Sequence, residues 1–142
     1  MHYTWTTMEA ERAFSQASAA RRRARLALRL RRRPAACSEL PVHDGLPTGM
    51  RTTARGVQSI PLAAIEGTLE PSRAQDFDRE FRPAPRTRDR WLRVWIAGHL
   101  GVTLPPIAVV RTGEGYAIRD GHHRVSVARA RGAVAIDAIV VG

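Results

Sequence analysis

The chain has 142 residues, 44% of them hydrophobic, with one cysteine and a formal net charge of +10. That length suits one domain with an appendage, since about 100 residues already bury a working core, and no apolar run approaches the roughly 18 to 20 residues of a membrane span. A lone thiol, Cys37, excludes an internal disulfide, and a start with Glu9 and Glu11 and no apolar stretch is not a secretory signal, so a cytoplasmic, soluble protein is expected.

Thr6 followed by Glu9 makes a capping-box start, and from Thr7 to Arg33 neither Gly nor Pro interrupts until Pro34. The pattern predicts one long helix of about 40 Å at 1.5 Å per residue. Ala10, Ala13, Ala17, Ala20, Ala24 and Ala27 recur at three- and four-residue spacing, and Phe14, Leu26, Leu28 and Leu30 are the only large members of this thin stripe. Its end carries Arg21, Arg22, Arg23, Arg25, Arg29, Arg31, Arg32 and Arg33. All 23 basic side chains of the chain are arginine, a bias that codon composition can produce unaided, yet the excess is local: residues 1–56 hold 11 arginines against 4 acids, residues 57–142 hold 12 against 9. Such a helix suits nucleic acid, an anionic membrane surface or a partner helix, with a solvated arm as the bland alternative. DNA or another nucleic acid is the first functional choice. With no aromatic residue between Arg21 and Arg33, contact would be to phosphates, salt-sensitive and without sequence preference.

Pro34, Pro41, Gly45, Pro47, Gly49 and Gly56 then mark a linker or an irregular packed loop over residues 34–56, and a domain boundary near residue 56. The second part, 57–142, opens with Val57 to Leu62, an edge-type strand because it holds Pro61. After a polar loop, Leu69 to Arg73, the apolar positions Trp91, Leu92, Trp95, Ile96 and Leu100 mark one face of a helix between Thr87 and Leu100, and the tryptophans are read as core. Pro105 and Pro106 introduce a strand at Ile107, which the turn Thr112 to Gly115 joins to a second at Tyr116 as a hairpin. A helix ending at Gly132 and a last strand from Val134 to Val141, rich in β-branched residues and expected to be central, complete the chain. The class predicted is α+β: a small mixed sheet with packed helices, preceded by the basic helix. A strand so near the end of the chain also suggests a sheet edge for pairing as a homodimer.

Between the hairpin and the helix lies Asp120-Gly121-His122-His123-Arg124. The first turn of a helix carries unpaired backbone N–H groups and a partial positive charge, and here two imidazoles and a guanidinium surround a glycine, a corner suited to an anion such as phosphate. The bland alternative is a tight turn with surface histidines and an Arg124–Asp120 pair. A zinc site is not expected, because adjacent residues at a helix start diverge and no cysteine or third histidine has suitable spacing; His2, His43 and His99 are read as unrelated.

The order of these pieces resembles the ParB/sulfiredoxin superfamily over residues 57–142. Glu70-Pro71-Ser72-Arg73 resembles its Pro-x-x-Arg loop, Pro106-Ile107-Ala108-Val109 its Pro-Ile-x-Val strand, and Gly121-His122-His123-Arg124 its phosphate-contacting Gly-x-x-Arg turn. Sulfiredoxins place a catalytic cysteine in that turn, where this chain has His122, so their chemistry is not implied. Chromosome-partitioning ParB proteins use a Gly-Glu-Arg-Arg turn on CTP and continue into further helices and a DNA-reading helix-turn-helix, which this sequence does not include. The Asp-Gly-His-His-Arg spelling is most similar to the free-serine-kinase branch, in which the turn holds nucleotide phosphates and a glutamate in the preceding loop activates a hydroxyl. By that resemblance Glu70 would be the base, with Glu66 as a stand-in; the alternative for Glu70 is a solvated acid or a partner for Arg73.

The first functional expectation is therefore a nucleotide- or phosphate-binding module, taking ATP, ADP or CTP through Asp120, Gly121, His122, His123 and Arg124, with Arg73 as a second cation and DNA association through the basic helix. Arg73 is equally suited to a salt bridge with Glu70 or Asp76. Mg²⁺ would accompany the nucleotide, with Asp120 as its candidate ligand, though pairing with Arg124 or capping the helix would equally occupy that carboxylate. The second expectation is a small-molecule kinase with Glu70 as base. A nuclease comes last, for want of a carboxylate cluster.

Overall fold

The structure, a computed structural model, describes residues 2–44 and 56–141. Five short strands form one mixed sheet: β1 (Val57–Pro61), β2 (Ile65–Thr68), β3 (Ile107–Arg111), β4 (Tyr116–Asp120) and β5 (Ala135–Val140), in the order β1-β5-β3-β4-β2. The predicted hairpin forms, with β3 antiparallel to β4 and Thr112 N–H donating to the Gly115 carbonyl at 2.9 Å. β5 runs parallel to β3 and antiparallel to β1, and β2 runs parallel to β4. The α+β class with packed helices is as expected. β5 is interior, as its β-branched run predicts, and so cannot be the free edge suggested for pairing with a second copy; the edges are β1 and β2. The four-residue β2 was not legible in sequence because Gly67 interrupts its apolar pattern. That glycine has its own reason, since a Cβ there would run into the Pro41 carbonyl and the His43 ring.

Three helices pack around the sheet: α1 (His2–Leu30), α2 (Arg88–His99) and α3 (His122–Ala130). α1 begins four residues before the predicted cap, and Thr6 lies inside it, buried. Thr6, Ala10 and Phe14 share a face that the domain covers, and that packing extends the helix past a competent capping signal. Its other end follows the sequence closely. Arg32 adopts a left-handed backbone, φ 56°, and Arg33 N–H reaches the Leu28 carbonyl at 2.9 Å, a Schellman ending immediately before Pro34.

The core has two parts. Ile60, Ile65, Ile107, Val109, Ile118 and Val125 belong to the sheet side, joined by Leu40, Phe77 and Phe81 from the loops. Ala10, Phe14, Trp91, Leu92, Trp95 and Val127 form the second part, where α1, α2 and α3 meet. Trp91 is fully enclosed; Phe14 meets it edge-on at 5.4 Å, and its indole N–H donates to Ser126 Oγ at 2.8 Å. Both tryptophans are core, as the helical spacing predicts. α3 serves both clusters, Val125 toward the sheet and Val127 toward the helices, which fixes its axis and therefore the place of its first turn.

α1 is thus no free arm in its first half. Residues 34–44 also pack: Leu40 is in the core, Thr68 N–H donates to the Pro41 carbonyl at 3.0 Å, and His43 N–H donates to the Thr68 carbonyl at 2.8 Å. This is the irregular packed loop of the two readings of 34–56, and residues 45–55 of that span lie outside the described residues.

Candidate anion-binding site

Gly121 sits between β4 and α3 as the residue that caps the helix, with φ 115° and no capping side chain. Two constraints demand glycine there. A side chain rarely adopts that backbone, and a Cβ would collide with the Ile107 side chain of β3. The first bond of the helix runs from Val125 N–H to the Gly121 carbonyl, 3.0 Å, so the N–H groups of His122, His123 and Arg124 have no partner within the helix. They open at a cleft of about 330 Å³ that Glu70, Arg73, Arg90, Arg119 and Asp120 also line, with Val94, Leu104 and Pro105 as its apolar wall. The two sequence segments singled out as one site, 70–73 and 120–124, do come together.

The side chains divide the work differently from the expectation. His122 is buried, stacked on Phe77 at 6.3 Å, with Nε2 2.6 Å from Thr68 Oγ1. Thr68 Oγ1 also accepts the Glu70 N–H at 2.9 Å. The carbonyls of Glu70 and Ile118 also lie within 3.5 Å of this hydroxyl, and the tautomer of the neutral ring sets which of Oγ1 and Nε2 donates across the 2.6 Å contact. This contact ties the loop bearing Glu70 to the start of α3. His123 is also buried, edge-on to Phe77 at 5.2 Å, and neither ring nitrogen has a hydrogen-bond partner among the described residues. Burial, then Arg73 and His123, pushes His122 down to about 4; burial, then Arg90 and Arg73, pushes His123 down to about 4. Both imidazoles are therefore neutral near pH 7 and add hydrogen-bonding capacity rather than charge.

Arg124 lines the cleft but is largely committed. Its Nη1 donates to the carbonyls of Pro105 (2.6 Å) and Pro106 (3.0 Å), and its Nη2 to Asp120 at 3.0 Å. The pairing with Asp120 foreseen as the bland reading is formed, and two of the five guanidinium N–H groups remain for a ligand. Arg73 donates to Asp76 at 3.1 Å and lies 3.9 Å from Glu70, so the salt bridges foreseen for it also form. Glu70 is half-exposed at the cleft, whereas Glu66 accepts from Thr112 Oγ1 at 2.6 Å and does not line it.

The unpaired cations of the cleft are two that the sequence did not single out. Arg90, in the first turn of α2, and Arg119, on β4, are exposed, and their side chains make no ion pair or hydrogen bond with described residues. Arg119 was findable, as the immediate neighbour of Asp120. Arg90 was not, since only the packing of α2 on α3 carries it there.

Glu70 and Asp120 are the carboxylates of the cleft, Asp120 is engaged by Arg124, and among the described residues no group of three or more His, Cys, Asp or Glu could hold an ion. Mg²⁺ brought in with a nucleotide would take one or two of these carboxylates together with phosphate oxygens. Cys37 lies in the turn Ala35–Ser38, outside the cleft.

On α1, Arg21 leaves the expected set. It is buried and donates to the Gln75 carbonyl at 3.3 Å. Arg22, Arg23, Arg25, Arg29, Arg31, Arg32 and Arg33 are exposed, and their side chains have no ion pair or hydrogen bond among the described residues. No helix of the described residues is long and apolar enough to cross a membrane. Comparison of the chain with family models, curated proteins and solved structures finds no match.

Proposed function

We propose that this protein is a nucleotide- or phosphate-binding module of the ParB/sulfiredoxin type, with the cleft at the start of α3 as its anion site. One observation carries the reading: the first-turn N–H groups of α3, the ring of a buried His123, and Arg90 and Arg119, whose side chains have no partner among the described residues, line one concave surface. Helix dipole and N–H groups favour an anion, and cations held at a partly dry surface add charge-assisted bonds. The test is isothermal titration with ATP, ADP, CTP and inorganic phosphate, each with and without Mg²⁺. Arg90→Ala and Arg119→Ala are each expected to weaken binding about tenfold, the loss of one charge-assisted hydrogen bond. No binding by any of these anions would end the reading.

Two additions have specific support. The unpaired arginines from Arg22 to Arg33 favour contact of α1 with the phosphate backbone of nucleic acid such as DNA. Glu70, held at the cleft beside the anion site by the Thr68 contact, favours phosphoryl transfer to a hydroxyl with Glu70 as base. Nucleotide turnover that Glu70→Gln abolishes while binding survives would make the module a kinase; binding without turnover in the unmodified protein would leave it a binding domain.

A further inference from the structure

A guanidinium taken out of water with no carboxylate to meet it is costly, and α1 holds one. Arg21 is the one buried arginine among the described residues, 8% exposed. Its Nη2 donates to the Gln75 carbonyl at 3.3 Å, its Nε is sealed from solvent without a partner, and no acidic side chain pairs with it among the described residues. The surroundings add charge of the same sign. Burial, then Arg25 and Arg86, pull its pKa below the ordinary arginine value and outweigh the opposing Asp78 and Glu39. Asp78 is already engaged, by the Arg82 side chain at 3.4 Å and by the N–H groups of Glu80 and Arg82 at 2.9 Å each. The Glu39 carboxylate forms no ion pair with any described residue.

Arg21 and Arg25 are the shared wall of two concavities. One, about 340 Å³, follows α1 to Ser38 and is lined also by Arg22, Arg29 and Arg33, with no acid. The other, about 330 Å³, reaches the segment before α2 and adds Gln75 and Arg86, with Glu39 as its acid. Neither shares a residue with the cleft at the start of α3. Asp76 separates the two regions, accepting from Arg73 of the cleft at 3.1 Å and from Arg86 Nε at 2.5 Å, which leaves the terminal nitrogens of Arg86 unbonded among the described residues.

We infer that the junction of α1 with the segment before α2 is a second anion site, in which Arg21, Arg25 and Arg86 hold one phosphate group in a fixed place. The inference stands whether or not the cleft binds nucleotide. Three guanidinium groups that repel one another gain from an anion among them, and a phosphate offers more oxygens to several forks at once than the two of a carboxylate. Arg21 is immobilised by its burial, so binding orders one long side chain fewer than at the exposed arginines further along α1. Glu39 repels a ligand from its own concavity, and the rest of the ligand therefore extends along the acid-free one. The phosphate can belong to a nucleic-acid backbone drawn along α1 or to a small phosphorylated molecule; the chemistry at Arg21 is the same.

The test follows the Arg21 Nε–H signal by NMR in the full chain, identified by its loss in Arg21→Lys. Inorganic pyrophosphate is expected to shift that signal saturably. Arg25→Gln and Arg86→Gln should each weaken the binding about tenfold, the loss of one charge-assisted contact, with circular dichroism to check that both fold. Glu39→Gln, which removes the repelling carboxylate, should tighten it. A short DNA duplex identifies the source: a shift with DNA as well assigns a backbone phosphate, and a response to pyrophosphate alone assigns a small phosphorylated ligand. An Arg21 signal that neither ligand moves, or that responds with unchanged affinity in Arg25→Gln and Arg86→Gln, overturns the inference.

Discussion

In the cleft, Arg73 and Arg124 are tied to Asp76, Asp120 and the carbonyls of Pro105 and Pro106, and the two free cations, Arg90 and Arg119, face a concave surface that also holds helix N–H groups and a buried imidazole. Along the second half of α1, arginines from Arg22 to Arg33 stand unpaired on the outside of a helix whose first half is buried in the domain. The charge is larger on the helix and the organisation is greater in the cleft. A convex row of flexible cations suits a polymer of phosphates at any register, while a walled site with fixed donors suits one small anion in one place.

The largest effect should come from breaking the anchor that makes α1 two-natured. Phe14→Ala removes an aromatic buried against Trp91 and is expected to cost about 3 to 5 kcal/mol in chemical denaturation; a loss under about 1 kcal/mol would mean that α1 is not built into the core. Next comes Gly121→Ala, where a left-handed backbone and a collision with Ile107 together predict a loss of about 3 kcal/mol and a displaced start of α3. Substituting Arg22 or Arg29 by Gln should move stability by less than about 0.5 kcal/mol, the ordinary surface result.

Salt sharpens the comparison. If α1 meets about four phosphates of a DNA duplex, its affinity should fall about a hundredfold between 50 and 200 mM salt by the counterion-release slope, read by fluorescence anisotropy. Nucleotide in the cleft, opposite two unpaired arginines, should lose about tenfold or less. Equal salt slopes at the two regions would erase the distinction.

Acid bears on the cleft alone. His122 and His123 titrate near 4 when folded and near the ordinary 6.5 when unfolded, so between those values the unfolded chain binds more protons. Stability contributed by the two neutral rings is complete above about pH 6.5 and is lost as pH falls toward 4, by about 2 kcal/mol after allowing for solvent reaching the cleft. An anion at His123 should raise that ring's pKa, which NMR titration with and without phosphate would follow; His122, held by Thr68, should move less.

The turn at 120–124 was legible because its parts are local: a glycine between a β-rich run and a helical run, with polar residues in the first turn. Arg119 belongs to the same stretch. Arg90 was invisible, because its place depends on α2 crossing α3 at Trp91 and Ser126, a contact between residues 35 apart. The roles of the two histidines were equally hidden. Adjacent at a helix start, they look alike in sequence and both line the cleft, yet His122 is tied to Thr68 while the His123 ring has no hydrogen-bond partner among the described residues.

By itself the sequence determined the α+β class, the β3–β4 hairpin, the interior character of β5, the tryptophan face of α2, the glycine turn and the concentration of arginine at the end of α1. Each follows from periodicity, turn chemistry or composition, which act over a few residues. The tertiary structure alone decided that Arg21 is buried, that α1 starts before its capping signal, that Arg124 is spoken for while Arg90 and Arg119 are not, and that both imidazoles are neutral. Burial and pairing depend on which distant groups arrive at the same place, and for charged and titratable side chains those neighbours set whether a group is a tether, a filler of the core or a hand free for a ligand.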